Sequence, residues 1–184
     1  GGFDLVLGNP PHGNLLSNLE KTLLKTSCPV KTDDITKPFV YRCSNLLREG
    51  GILSLVVPKS FAYYSSWNAT RKTLLTKSVI THLADLGKAF IGVDAEQIVV
   101  SAKKSAVKLE VVDKLQKSDK EVEIYLFKPL KQPRLNKSIC FDGTVPQSLM
   151  KKHLRLILRA FRGIEKMLIT KIEETSVPLR EYYR

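Results

Sequence analysis

The chain has 184 residues, with 30 Lys and Arg against 18 Asp and Glu, for a formal net charge of +12. Hydrophobic residues make up 43% and charged residues 26%, which excludes a disordered chain and suits one domain with a sizeable core. No apolar run reaches the ~18 residues of a membrane span, and the opening segment Gly1–Gly13 lacks the basic and apolar regions of a signal peptide.

The cysteines Cys28, Cys43 and Cys140 have an odd count and no CxxC spacing, which excludes a disulfide framework and a zinc ribbon. His12, His82 and His153 are too scattered to suggest a metal site. The positive excess points toward polyanionic partners, nucleic acid first.

Phe3–Leu7 reads as a strand that starts almost at the first residue, so the sequence is expected to be part of a longer polypeptide. Gly8-Asn-Pro-Pro-His-Gly13 follows it. Two prolines cannot continue a ladder, and each restricts the residue before it, so this is a rigid loop at the carboxyl end of a strand. Residues 14–34 are polar and irregular, with one or two helical turns over Leu15–Leu24. In Lys37–Arg48, Phe39, Val40, Cys43, Leu46 and Leu47 recur at helical spacing, and Gly50-Gly51 is expected to end that helix.

Ile52–Pro58, almost continuously apolar, reads as a buried parallel strand. Ser66–Thr76 reads as a helix, and Val79–Leu86, Gln97–Ala102 and Glu121–Phe127 as strands, with Lys103–Lys120 a basic connection of poor periodicity. This order predicts an α/β sheet that begins parallel and ends in hairpins. The body is expected to span residues 1–146, and residues 147–184 to form a basic amphipathic helix and a linker. Met150, Leu154, Ile157, Leu158, Phe161, Ile164 and Leu168 make the apolar stripe of that helix. Lys151, Arg155, Arg159, Arg162 and Lys166 make a second, basic stripe. It is either a solvated face or a helix that tracks phosphates or a neighbouring domain.

The chemistry lies in Asn9-Pro10-Pro11-His12. Fixed prolines can hold the Asn9 carboxamide oxygen and the Pro10 carbonyl on one spot, and two fixed acceptors suit one exocyclic NH2 group. An amine on an aromatic ring is a poor nucleophile because its lone pair is delocalised. Acceptors that hold its protons let the nitrogen become tetrahedral as it attacks, which is preorganised stabilisation without a strong general base. The flat ring of His12 can stack on a flipped base. Without that chemistry, the segment is a rigid turn of a Rossmann-like sheet.

Phe3-Asp-Leu-Val-Leu-Gly-Asn-Pro-Pro-His-Gly13 resembles motif IV of the amino-methyltransferases that use S-adenosylmethionine. The Asn form is similar to the adenine-N6 DNA methyltransferases of restriction–modification systems, particularly the Eco57I/TaqI-like branch. Lys37–Pro58 looks like that family's next helix and strand, and Leu83–Phe90 with Glu96–Val100 like two further strands. Ser176-Val-Pro-Leu179 resembles the lead-in to a target-recognition domain.

The resemblance implies an α/β, Rossmann-like S-adenosylmethionine-dependent methyltransferase sheet, its second half only, with a carboxyl-terminal helix. In the family a glycine-rich cofactor loop and an acidic ribose ligand precede motif IV. The chain alone is therefore expected to bind cofactor weakly and to be inactive. Carried over by position, Asn9, Pro10, Pro11 and His12 are catalytic, with His12 in place of the usual Tyr or Phe. Phe90 is expected to hold the target base, and Phe39 to lie near the adenine of the cofactor; their alternatives are a rim residue and a core residue. Lys151, Arg155 and Arg159 are expected to contact the substrate.

The implied partners are double-stranded DNA and the missing amino-terminal half or a recognition subunit, in a prokaryotic cytoplasm and without a membrane. Two other functions remain open at this point. One is a methyltransferase acting on RNA guanine or protein glutamine, and the other is a non-catalytic DNA-binding or interaction module.

Overall fold

The computed structural model describes residues 1–89, 94–105, 120–129, 137–161 and 163–175. Their strands are β1 (Phe3–Gly8), β2 (Leu47–Pro58), β3 (Ser78–Gly87), β4 (Gln97–Lys104), β5 (Glu121–Pro129) and β6 (Lys137–Pro146). The helices are α1 (Asn18–Ser27), α2 (Thr36–Leu46), α3 (Asn68–Lys77), α4 (Gln147–His153) and α5 (Ile164–Thr175), with two 3-10 turns over Lys59–Ala62 and Ser65–Trp67. One six-stranded sheet has the order β1-β2-β4-β3-β5-β6. β1 runs parallel to β2 and β3 parallel to β5, whereas β4 runs antiparallel between β2 and β3, and β6 antiparallel to β5. The sheet thus begins parallel, as expected, and β3 with β4 forms an antiparallel pair, but β5, expected in a closing hairpin, runs parallel to β3 and pairs antiparallel with β6.

Period-2 alternation on β2 and β4 sends Leu53, Leu55, Val57, Ile98 and Val100 into one core, and β3, whose register shifts between Ile80 and His82, adds Ile80 and Leu83. Phe61, Trp67, Leu74, Leu75 and Met150 close over them. The Phe61 and Trp67 rings meet edge to face, with centroids 5.5 Å apart. α1 starts at Ser17 with a reciprocal capping box to Glu20 and has no buried residue.

Three local expectations are corrected. Gly50-Gly51 does not end a helix: α2 stops at Leu46, and both glycines lie inside β2. There the pairing jumps from Phe3↔Leu47 to Leu5↔Ile52, so β2 bulges against β1. Gly50 takes φ +76°, and a Cβ on Gly51 would stand 2.8 Å from the Phe3 carbonyl oxygen, so the pair is needed for close backbone approach. Second, β6 was not foreseen. Its alternation is interrupted at Gly143, where a Cβ would meet that of Ala160 at 2.6 Å.

Third, the single carboxyl-terminal helix is two. α4 stops at Leu154, which is left-handed with φ 49°. The next residues are irregular, the Leu156 N–H donates to the Ala62 carbonyl (2.9 Å), and Leu156 and Ala160 enter the core before α5 begins. Core packing of an irregular segment overrides the helical period here. Ser176–Leu179 lies outside the described residues.

β1 is an edge strand, and Leu5 and Leu7, which share a face with Ile52, are 51%, 65% and 46% exposed, respectively for Leu5, Leu7 and Ile52. Exposed apolar edges associate. Residues 1–184 alone are expected to show a mass that rises with concentration in sedimentation velocity, and Leu5→Lys/Leu7→Lys is expected to lower it. A parental chain that stays monomeric at every loading would overturn this.

Candidate active site at the carboxyl end of the sheet

β1, β2, β3 and β5 end on one rim, the side on which open α/β sheets bind ligands. Asn9–His12 leaves β1 on this rim. Pro10 is buried, whereas Asn9, Pro11 and His12 are exposed. Their loop is braced by the start of α2. The Thr36 hydroxyl donates to the Pro11 carbonyl at 2.8 Å, and the Ile35 N–H donates to the Gly13 carbonyl at 3.0 Å. Thr36 is itself fixed, because its own N–H donates to Asp34 Oδ1 at 2.9 Å. The Pro11 and Gly13 carbonyls are thus occupied by α2, while Asn9 and His12 stay exposed on the loop.

The next residue, Lys37, is only 1% exposed. Its Nζ donates to both carboxylate oxygens of Asp33, at 2.7 and 2.8 Å, and lies 4.8 Å from the centre of the Trp67 ring. Burial opposes the charge on Asp33, but the hydrogen bond and charge of Lys37 outweigh it and hold the carboxyl below its ordinary value. Two residues on, Phe39 turns an open ring to solvent, 42% exposed, so it is not a core residue.

Farther along the rim, the ammonium of Lys59 bridges Asp85 (2.9 Å) and Glu96 (2.8 Å), tying the end of β3 to the start of β4. Burial works against the Lys59 charge, but Glu96 and Asp85 outweigh it and hold the group above its ordinary value. Phe90 lies outside the described residues.

The expected basic stripe is not one surface. Lys151 sits half-buried on α4. Arg155 comes after the break at Leu154 and lines a groove with Tyr63 and Tyr64. Arg159 lines a different open cleft, of about 1300 Å3, beside Lys59, Asp85 and Phe161. Arg162 lies outside the described residues. The structure therefore brings Asn9–His12 and the start of α2 together and separates the three basic residues.

Thr36, Lys37 and Lys59 were missed as site residues. Asp33-Asp34 before an apolar periodic run was the available signal for the first two, because a carboxylate there caps a helix. Thr36→Val should remove the brace on Pro11 and lower stability by about 1 kcal/mol in urea melts, the net value of one such bond. Thr36→Ser should retain it; equal midpoints for Val and wild type would show that the bond contributes nothing.

Residues 1–91 match the Eco57I restriction-modification methylase family. A Methanocaldococcus jannaschii protein described as a type II restriction enzyme and methyltransferase is 33% identical over 142 residues, covering 77% of this chain and 11% of that protein. The type II methyltransferase M.BsuBI of Bacillus subtilis is 26% identical over 161 residues, covering 82% of this chain and 32% of that protein. The chain thus spans a third or less of the length of these relatives.

A solved structure described under the assembly of a type I restriction–modification system superposes with a TM-score of 0.61 at 13% identity, over 94% of this chain and 42% of that one. It shows the fold, which is shared with a Listeria monocytogenes structure described as a class I S-adenosylmethionine-dependent methyltransferase (TM-score 0.54, 17% identity, over 72% of this chain and 39% of that one).

The Eco57I methylases use S-adenosylmethionine. The exposed Phe39 ring stands one turn along α2 from Thr36, which braces the loop after β1. Among the described residues, no helix is long and apolar enough to cross a membrane.

Proposed function

We propose that this chain is the catalytic-loop half of a DNA methyltransferase that modifies adenine N6 in double-stranded DNA, as part of a cytoplasmic prokaryotic restriction–modification system. The observation that carries the reading is the exposed Asn9 on a proline-fixed loop that Thr36 braces at Pro11. In this role the Asn9 carboxamide oxygen and the Pro10 carbonyl accept the two N–H bonds of the adenine amine, and His12 stacks on the flipped base. Both acceptors gain strength as the nitrogen becomes tetrahedral and its N–H bonds more acidic. The exposed loop lets the departing proton pass to water. S-adenosylmethionine supplies the methyl group, and Phe39 would face it. Its other wall, and a recognition segment or subunit for the DNA, are contributed from outside this chain.

The test is methylation by the whole polypeptide that contains this chain, with duplex DNA, RNA and protein offered as competing acceptors. Nucleosides from the digested DNA should contain N6-methyladenine, and Asn9→Ala should abolish most of it. Methylated guanine in RNA or methylated glutamine in protein, with unmodified DNA, would replace this reading with one of its rivals. Binding of DNA with no transfer to any acceptor would leave the non-catalytic module.

A further inference from the structure

The turn that leaves β2 carries chemistry that the methyl-transfer site does not use. Tyr63 and Tyr64 stand there 42% and 57% exposed, with their rings edge to face at 5.1 Å between centroids. Together with Ser66, Asn68, His153 and Arg155 they line an open groove of about 410 Å3. Among the described residues that line it, none is acidic.

Beneath the groove lies Arg71, 1% exposed. Its guanidinium donates to the carbonyls of Phe61, Tyr64 and Leu154 and to Asn68 Oδ1. Among the described residues, no carboxylate pairs with Arg71 or with Arg155. Burial first, and the charge of Arg155 second, push Arg71 down to about 10, so it remains a cation at neutral pH. The Arg155 guanidinium therefore lines the groove above the buried positive charge of Arg71, and among the described residues no carboxylate neutralises either. Because Arg71 occupies the Asn68 oxygen, the amide NH2 is the end of Asn68 left for a ligand. A guanidinium, hydroxyls and a carboxamide NH2 form a set of donors, which is what a phosphodiester needs.

The position matches this chemistry. β1 and β2 are parallel, so the turn after β2 and the Asn9–His12 loop after β1 occupy the same rim. From these observations we infer that the Tyr63–Tyr64–Arg155 groove holds a backbone phosphate of the duplex whose adenine enters the Asn9 loop. The inference rests on the proposed DNA substrate. It also separates Arg155 from Lys151 and Arg159, with which the sequence grouped it.

The experiment measures duplex affinity of the whole polypeptide against salt concentration. Loss of one phosphate contact makes the slope of log K against log salt shallower by about 0.9. Arg155→Ala should show that change, Arg155→Lys should keep most of the parental slope, and Lys103→Ala, an equal charge loss on the opposite rim, should leave it unchanged. Melting curves confirm that each variant is folded.

An unchanged slope for Arg155→Ala, or an equal change for Lys103→Ala, overturns the groove while N6-methyladenine formation still supports the DNA reading. A parent that neither methylates nor binds duplex overturns both. Inorganic phosphate gives the last arm. If it raises the melting temperature of the parent but not of Arg155→Ala, while DNA slopes are equal, the groove is a small-anion site and the duplex assignment falls.

Discussion

Asn9→Ala is expected to slow methyl transfer in a single turnover by about 10²–10³-fold, the usual effect of losing one preorganised polar contact to a developing charge. Binding should change far less. Asn9 is exposed, lies at the end of an edge strand and supports no core contact, so its removal leaves the fold intact. In the ground state the adenine amine is planar and weakly polar, and its contact with Asn9 exchanges with water at little gain. As the nitrogen bonds to the methyl group, its N–H bonds carry positive charge, and the same contact strengthens. An interaction made mainly in the transition state lowers the chemical step and not the affinity.

Asp at position 9 keeps an acceptor and should retain more activity than Ala. His12→Ala should act differently, weakening base capture by about 1–3 kcal/mol, the contribution of one stacking face. His12→Phe and His12→Tyr should restore it. Transfer at the parental rate by Asn9→Ala would mean that the loop is only a turn.

The parts of this site that sequence made legible are those encoded by single residues with fixed geometry. Proline locks its own φ and biases the residue before it, so a Pro-Pro after an apolar strand could only be a rigid exit loop. The strands beside it were legible because apolar alternation is a local signal. What stayed hidden depends on contacts distant in sequence. β4 enters between β2 and β3 through pairing that no local pattern states. Leu154 ends α4 although an apolar stripe continues past it, because its carbonyl is taken by Arg71, 83 residues earlier in the chain. Lys and Arg on a helix are ordinarily solvated, and no local pattern marks Lys37 and Arg71 as exceptions. Both are buried, because Asp33 and Trp67 surround the first and carbonyl oxygens the second. The basic stripe failed for the same reason: it was drawn on a helix that the Arg71 contact interrupts.

That contact should therefore matter more to stability than any other single polar group in the described fold, and Arg71→Ala is expected to cost about 3–5 kcal/mol. The estimate follows from the acceptors left behind. The guanidinium bonds the Phe61 carbonyl at 2.6 Å, the Leu154 carbonyl at 2.5 Å and the Tyr64 carbonyl at 2.8 Å, besides Asn68. Each hydrogen bond to a charged group contributes about 1.5–3 kcal/mol, and an acceptor stranded in the interior costs about 1–3 kcal/mol. Water entering the vacated space recovers part of this, which keeps the total below the simple sum.

Arg71→Lys retains the charge and little else. One ammonium on a single stem cannot span acceptors spread over the turn after β2, the start of α3 and the end of α4, so Lys should recover only a minor part of the loss. The measurement is chemical unfolding of the wild type and both variants in urea, with the midpoint and slope followed separately. A loss below about 1 kcal/mol for Ala would mean that solvent replaces the guanidinium freely. Near-wild-type stability for Lys would mean that charge, and not the forked geometry, holds the segment after α4 against the turn after β2.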